Sequence, residues 1–348
     1  MKELISKKQH ILCLLAITAL AGITAYYLFR NNELSVILRE IGGINLIYLL
    51  PALLSMIVFF FIEAICIRIL LKPIFGKTGL LQTTRYAYID FYFSSITPGC
   101  CGGQPSQIYF MHRDGIPASA SSLTLLCFNM CYHVAIIIIA VIIMITAGNM
   151  ILTDMGGFIY LFLFGLMAKI LLVSFYFIAI FNKKFATMLV TKAISILGRL
   201  HILRNPRQKM EKAETVMDDY RRGAEYIKDH PLTLAKIMLL VSCHVLLLYS
   251  IPFWVYNAFA LEGITCWQII ANQAALTLSV ESLPVPGGIG ITEGGFMFVF
   301  SRIFGEGNVL AALLLCRAFT YYFGLLAGGC ITCASLLAKK CKKLHEGD

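Results

Sequence analysis

Charge is what this chain has least of. Asp, Glu, Lys and Arg make up 14% of its 348 residues, against about 25% in a soluble domain. Hydrophobic residues make up 59% and the mean hydropathy is +0.79. Together these values exclude an ordinary water-soluble fold and indicate an integral membrane protein.

Catalytic signatures are missing as well. Gly76-Lys77-Thr78 resembles the end of a P-loop, but leucine occupies residue 71, where the loop needs its first glycine. The glycines of 287–295 do not form GxGxxG in a βαβ unit, and no HExxH, nucleophile elbow or zinc-ligand spacing occurs. No cofactor or metal is therefore expected, and any transport would be passive or driven by potential or protons unless a partner supplies ATP. The 12 cysteines are scattered through apolar segments and suggest no disulfide framework. Cys330-Ile-Thr-Cys333 has CxxC spacing but lies inside a span, and Cys127 and Cys131 share a helical face suited to packing.

What the chain does have is apolar runs long enough to cross a bilayer, about 20 residues each. They fall near 10–29, 44–71, 118–146, 158–181, 232–260 and 307–338. The first follows KELISKKQ without a small-residue cleavage site, so it reads as a retained helix rather than a signal peptide. Two further apolar regions, near 80–112 and 264–304, are broken, the first by SSITPGCCGGQPSQ and the second by ESLPVPGGIGITEGGF. If each broken region dips in and returns to its own side, the segments on the side of the N-terminus hold 22 of the 29 Lys and Arg. The connections on the other side hold only Arg30 and Arg39. The positive-inside rule then places both termini in the cytoplasm of a cell-membrane protein. The net charge of +10 thus reflects topology, and no direct nucleic-acid binding is expected.

The expected fold class is an all-α polytopic integral membrane protein, with about six full spans and two re-entrant broken-helix elements. It forms a single membrane domain. The two broken regions resemble each other: Ser95-Ile-Thr-Pro98-Gly99 with Gly102-Gly103 matches Leu283-Pro-Val-Pro286-Gly287 with Gly290 at an offset of 188 residues. This is an inverted repeat, the first unit about 44–146 and the second about 232–338, joined by a connector at 182–230. Non-helical backbone survives in a membrane only where protein buries it or a wet cavity solvates it. The breaks therefore mark a polar path near the midplane, with half-helix N-termini facing it. Thr292 is a candidate cap for a helix starting at Glu293, and Pro105 suits the first turn of its counterpart. The connector, with a basic amphipathic stretch and an Asp218–Arg222 pair, reads mainly as a solvated link. At 49 residues it is too short for an enzyme domain with its own core.

Ionisable residues inside spans cost about 2.5–3.5 kcal/mol each at a helix centre, so each should face protein or water. Glu293 and Lys169 are the strongest candidates for the path. Glu63, Asp90, Glu281, Arg317, His133 and His244 join them, although either histidine alone is more simply a satisfied core residue. Pro98, Gly99, Gly102, Gly103 and Gln104 would shape one gate, and Pro286, Gly287, Gly288 and Gly290 the other.

With ITPGCCGGQPSQ at 96–107 and LPVPGGIGITEGG at 283–295, the chain resembles the membrane region of the lysylphosphatidylglycerol synthase/flippase family over about 10–338. Gln104 stands where an acidic residue is common in that family. The resemblance implies a lipid-handling membrane protein whose partner is phosphatidylglycerol or an aminoacylated or glycosylated lipid. In full-length relatives this region moves lysylphosphatidylglycerol to the outer leaflet, weakening the attraction of cationic antimicrobial peptides. A separate soluble domain transfers lysine from its tRNA. Here KKCKKLHEGD follows a span directly, so that domain is expected to be absent. The resemblance leaves three readings: a lipid translocase, a phosphatidylglycerol lysyltransferase, or a membrane subunit on which a separate synthase docks through 182–230.

Overall fold

The structure, a computed structural model, describes residues 39–97, 100–199, 220–281, 283 and 290–345. The expected first span at 10–29 lies outside them, as do Pro98, Gly99, Pro286, Gly287 and Gly288. Among the described residues there are helices and no strands, which bears out the helical class. Four stretches are long and apolar enough to cross a membrane: Leu46–Ile74, Ala118–Phe181, Pro231–Ala258 and Ile291–Leu337. At 64 residues, the second is far longer than one crossing needs. It bends back at a 3-10 turn, Gly156–Phe158.

The helices are α1 (Leu49–Ile74), α2 (Leu80–Ile96), α3 (Gly103–Arg113), α4 (Ala118–Met155), α5 (Ile159–Phe181) and α6 (Lys183–Arg199). Then follow α7 (Pro231–Ala258), α8 (Cys266–Glu281), α9 (Ile291–Arg317) and α10 (Gly324–His345). A π-helical segment, Ala318–Phe323, joins α9 to α10. The central long helices α1 and α7 pack together, and α10 lies along α2.

Each broken region folds as a helical hairpin. At the mouth of the first, Asp114 after α3 accepts from Tyr86 of α2 at 2.6 Å and pairs with Arg85. At its tip α2 stops at Thr97, which is extended because Pro98 disfavours helical backbone before it. Thr97 Oγ1 accepts from Gly102 N–H at 2.9 Å and donates to Phe93 O at 2.6 Å, stapling the tip closed. Gly103 then starts α3 directly against α2. A Cβ there would collide with Ser94 Oγ and stand 2.9 Å from the Asp90 carbonyl. Backbone cannot step aside as a flexible side chain can, so Gly103→Ala should cost about 1–3 kcal/mol. A lower unfolding temperature in detergent would show it.

In the second hairpin α8 packs on α9. At its mouth, Asp154 at the end of α4 accepts from Asn272 Nδ2 at 3.2 Å and lies 3.7 Å from Arg302 Nη1. α4 starts beside the mouth of the first hairpin and ends beside the mouth of the second. The two mouths therefore lie at opposite ends of α4.

Two expectations need correction. The second break is shorter than the sequence suggests: helix resumes at Ile291, with Gly290 (φ 90°) as its cap rather than Thr292. The Gly290 N–H is bonded at 2.5 Å by Glu293 Oε2, so the carboxylate in the first turn sets the helix start. The helix then breaks again at Gly305, whose φ of 78° only glycine adopts easily. The second correction concerns the connector. Its segment 220–229 is helical and buries Ala224 and Ile227, with Gly223 pressed against Leu123 and Ile74. That part is packed against the bundle, because the sequence supplies it with a small, apolar face. The expected Asp218–Arg222 pair lies outside the described residues at Asp218.

Candidate functional site

Two ion pairs flank the second break. Glu281, the last residue of α8, meets Lys169 of α5 at 2.8 Å. Glu293, in the first turn of α9, meets Arg317 at the end of the same helix, with both Nε and Nη2 2.7 Å from Oε1. The break between residues 281 and 290 is thus held at each side by a carboxylate on a cation.

These pairs differ in their surroundings. The side chains of Glu293 and Arg317 are 10% and 14% exposed, so this pair is nearly closed off. Lys169 is 8% exposed, but its partner Glu281 is 30% exposed and reaches an opening. Lys169 also approaches His133 Nδ1 of α4 at 3.4 Å, and the His133 ring stacks on Tyr176 of α5 with an interplanar angle of 6°.

The tip of the first hairpin reaches the same place. Tyr321, in the π-helical segment, donates to the Ser95 carbonyl at 3.2 Å, and the Arg317 guanidinium lies 5.5 Å from its ring centroid. Cys100, exposed and with a φ of 56°, feels the charges of Glu281, Asp90 and Lys169. Behind the tip, Glu63 of α1 accepts from Gln107 of α3 at 3.3 Å and interacts electrostatically with Asp90 of α2. Gln104, on the first turn of α3, interacts with the Tyr176 phenol.

Of the residues singled out from sequence, Lys169, Glu281, Glu293, Arg317 and His133 flank the second break, beside the tip of the first hairpin. Glu63, Asp90, Gly102, Gly103 and Gln104 line the first hairpin beside them. His244 does not join them: its Nδ1 bonds the Phe59 carbonyl at 2.9 Å and its ring stacks on Phe59 at 3.7 Å. It is a satisfied core histidine. Among the described residues no three His, Cys, Asp or Glu side chains converge as a metal site would need.

Sequence reading missed Tyr321, Tyr176 and Gln107. Tyr321 follows Arg317 by four residues in an otherwise apolar run, a spacing that places both on one face. Tyr176 and Gln107 carry no such signal, since aromatic and amide residues are common in spans.

A family profile described as "Lysylphosphatidylglycerol synthase TM region" matches residues 11–328. The match covers both hairpins and every side chain of the central cluster. No curated protein matches the chain.

Proposed function

The chain belongs to the family of the lysylphosphatidylglycerol synthase transmembrane region, and from that premise we propose that it is a lipid translocase. In this reading it moves an anionic or aminoacylated phospholipid, of the lysylphosphatidylglycerol type, between leaflets. Both hairpins are re-entrant, six spans surround them, and the termini are cytoplasmic, as the distribution of Lys and Arg favours. The observation that carries the proposal is the pairing of Lys169–Glu281 and Arg317–Glu293 across the second break, opposite the tip of the first hairpin.

The chemistry follows from those pairs. A headgroup phosphate entering between the tips competes with Glu281 for Lys169 and with Glu293 for Arg317. Each carboxylate released is free to take a cationic amine on the same headgroup. Glu63 and Asp90 extend that acidic surface toward the first hairpin, and no cation pairs with either among the described residues. The acyl tails remain in the bilayer while the headgroup exchanges partners, and an aminoacylated headgroup offers a counter-ion to each member of the pairs it opens.

Leaflet exchange of fluorescent phosphatidylglycerol, lysylphosphatidylglycerol and phosphatidylcholine in liposomes holding the full chain tests this. Exchange of the first two above the level of empty liposomes is the expected result. Its absence with folded protein would contradict translocation. Lysyl lipid formed from lysyl-tRNA and phosphatidylglycerol by this chain alone would favour a transferase instead.

A further inference from the structure

A groove of about 460 Å³ opens where segment 220–229 lies across the end of α5. Its floor is apolar, formed by Phe177, Ile180, Phe181 and Ala224, and its rim carries Arg221 and Lys228. Arg221 Nε is bonded to Glu225 at 2.7 Å. Among the described residues the rim carries two cations and one carboxylate. The groove is a fixed feature, because Tyr220 donates to the Ala179 carbonyl at 3.0 Å and Gly223 is wedged against Leu123.

Its position selects the ligand. α5 has 23 residues, about 34 Å of helix, close to the roughly 30 Å of a bilayer's hydrocarbon core. The groove floor is the last turns of that helix, and polar Asn182 and Lys184 follow at once. The apolar floor therefore lies at the edge of the hydrocarbon, and the basic rim lies at headgroup depth. Phe177 and Ile178 face outward and are exposed, as a lipid-facing surface would be. Exposed Lys184 and Lys192 on α6 add positive charge on the same side.

We propose that this groove binds one anionic phospholipid from the leaflet on the connector's side. An acyl chain lies along Phe177 and Phe181, and the phosphate sits between Arg221 and Lys228. The Arg221–Glu225 pair is more than half exposed on both sides, so solvent already weakens it. The site lies apart from the central cluster and does not depend on the translocase reading.

The test uses the full chain in phosphatidylcholine liposomes with Phe177→Trp as a reporter, against the parent chain with its native Trp254 and Trp267. Lipids brominated on the acyl chain quench the reporter on contact. Brominated phosphatidylglycerol at a few mole per cent should quench several-fold more than brominated phosphatidylcholine. That preference should vanish in Arg221→Gln/Lys228→Gln and weaken with salt. If the double variant does not fold, the salt dependence of the reporter chain alone makes the same discrimination. Equal quenching by both lipids would overturn the proposal, leaving a plain lipid-facing surface. No quenching by either would overturn it too, since the groove would then be covered. Relief of quenching by soluble glycerol phosphate would show a phosphate site and not a lipid site.

Discussion

Arg317→Met should destabilise the protein by about 3–5 kcal/mol, because it strands the Glu293 carboxylate in a nearly closed site. The double variant Glu293→Gln/Arg317→Met should recover most of that loss. Removing both charges leaves nothing buried and unpaired, and glutamine still offers an oxygen to the Gly290 N–H that starts α9. Thermal unfolding in detergent measures both changes. Lipid exchange should stay absent in the double variant despite its recovered stability, since neither phosphate nor amine finds its partner. Exchange that recovers together with stability would make this pair purely structural.

Lys169–Glu281 should behave asymmetrically. Glu281→Gln leaves Lys169, 8% exposed and wedged beside His133, without its counter-ion. The cost should lie near the 3–5 kcal/mol range for a broken buried pair, that is about 3 kcal/mol. Lys169→Met leaves Glu281, which is 30% exposed and can be rehydrated through the opening. Its cost should be about 1 kcal/mol, as for pairs that water reaches. Lipid exchange should nevertheless fall to the level of empty liposomes in Lys169→Met, because the phosphate loses its cation. Equal stability losses would mean that Glu281 is as enclosed as Lys169.

Where the helices break was legible from local chemistry. Thr97 before Pro98 must leave the helix, and the Pro- and Gly-rich stretch before Gly290 cannot continue one. That Lys169, Glu281, Glu293 and Arg317 need polar company was legible for a different reason: each is costly inside an apolar run. Their pairing was not legible. Lys169 and Glu281 are 112 residues apart, and only the meeting of α5 with the second hairpin brings them together. The partners of Glu293 were not legible either. The fold turns Arg317 back onto it and uses its second oxygen as a cap. The backbone break at Gly305 carried no such signal and is visible only in φ. His244 shows the converse, a titratable residue in a span that the core satisfies with one carbonyl and one ring.

The central claim is that two opposed hairpins bring their tips together on a hydrated path in the middle of the membrane. Cys100 sits on that tip and is exposed. A nitroxide attached there, in a variant whose other cysteines are replaced by serine or alanine, reports both bilayer depth and contact with water through its relaxation by oxygen and by a water-soluble nickel complex. The account predicts a depth near the bilayer centre together with nickel contact well above that of a label at outward-facing Leu171, near the middle of α5. A label at either membrane surface, or one at the centre that nickel does not reach, would contradict it.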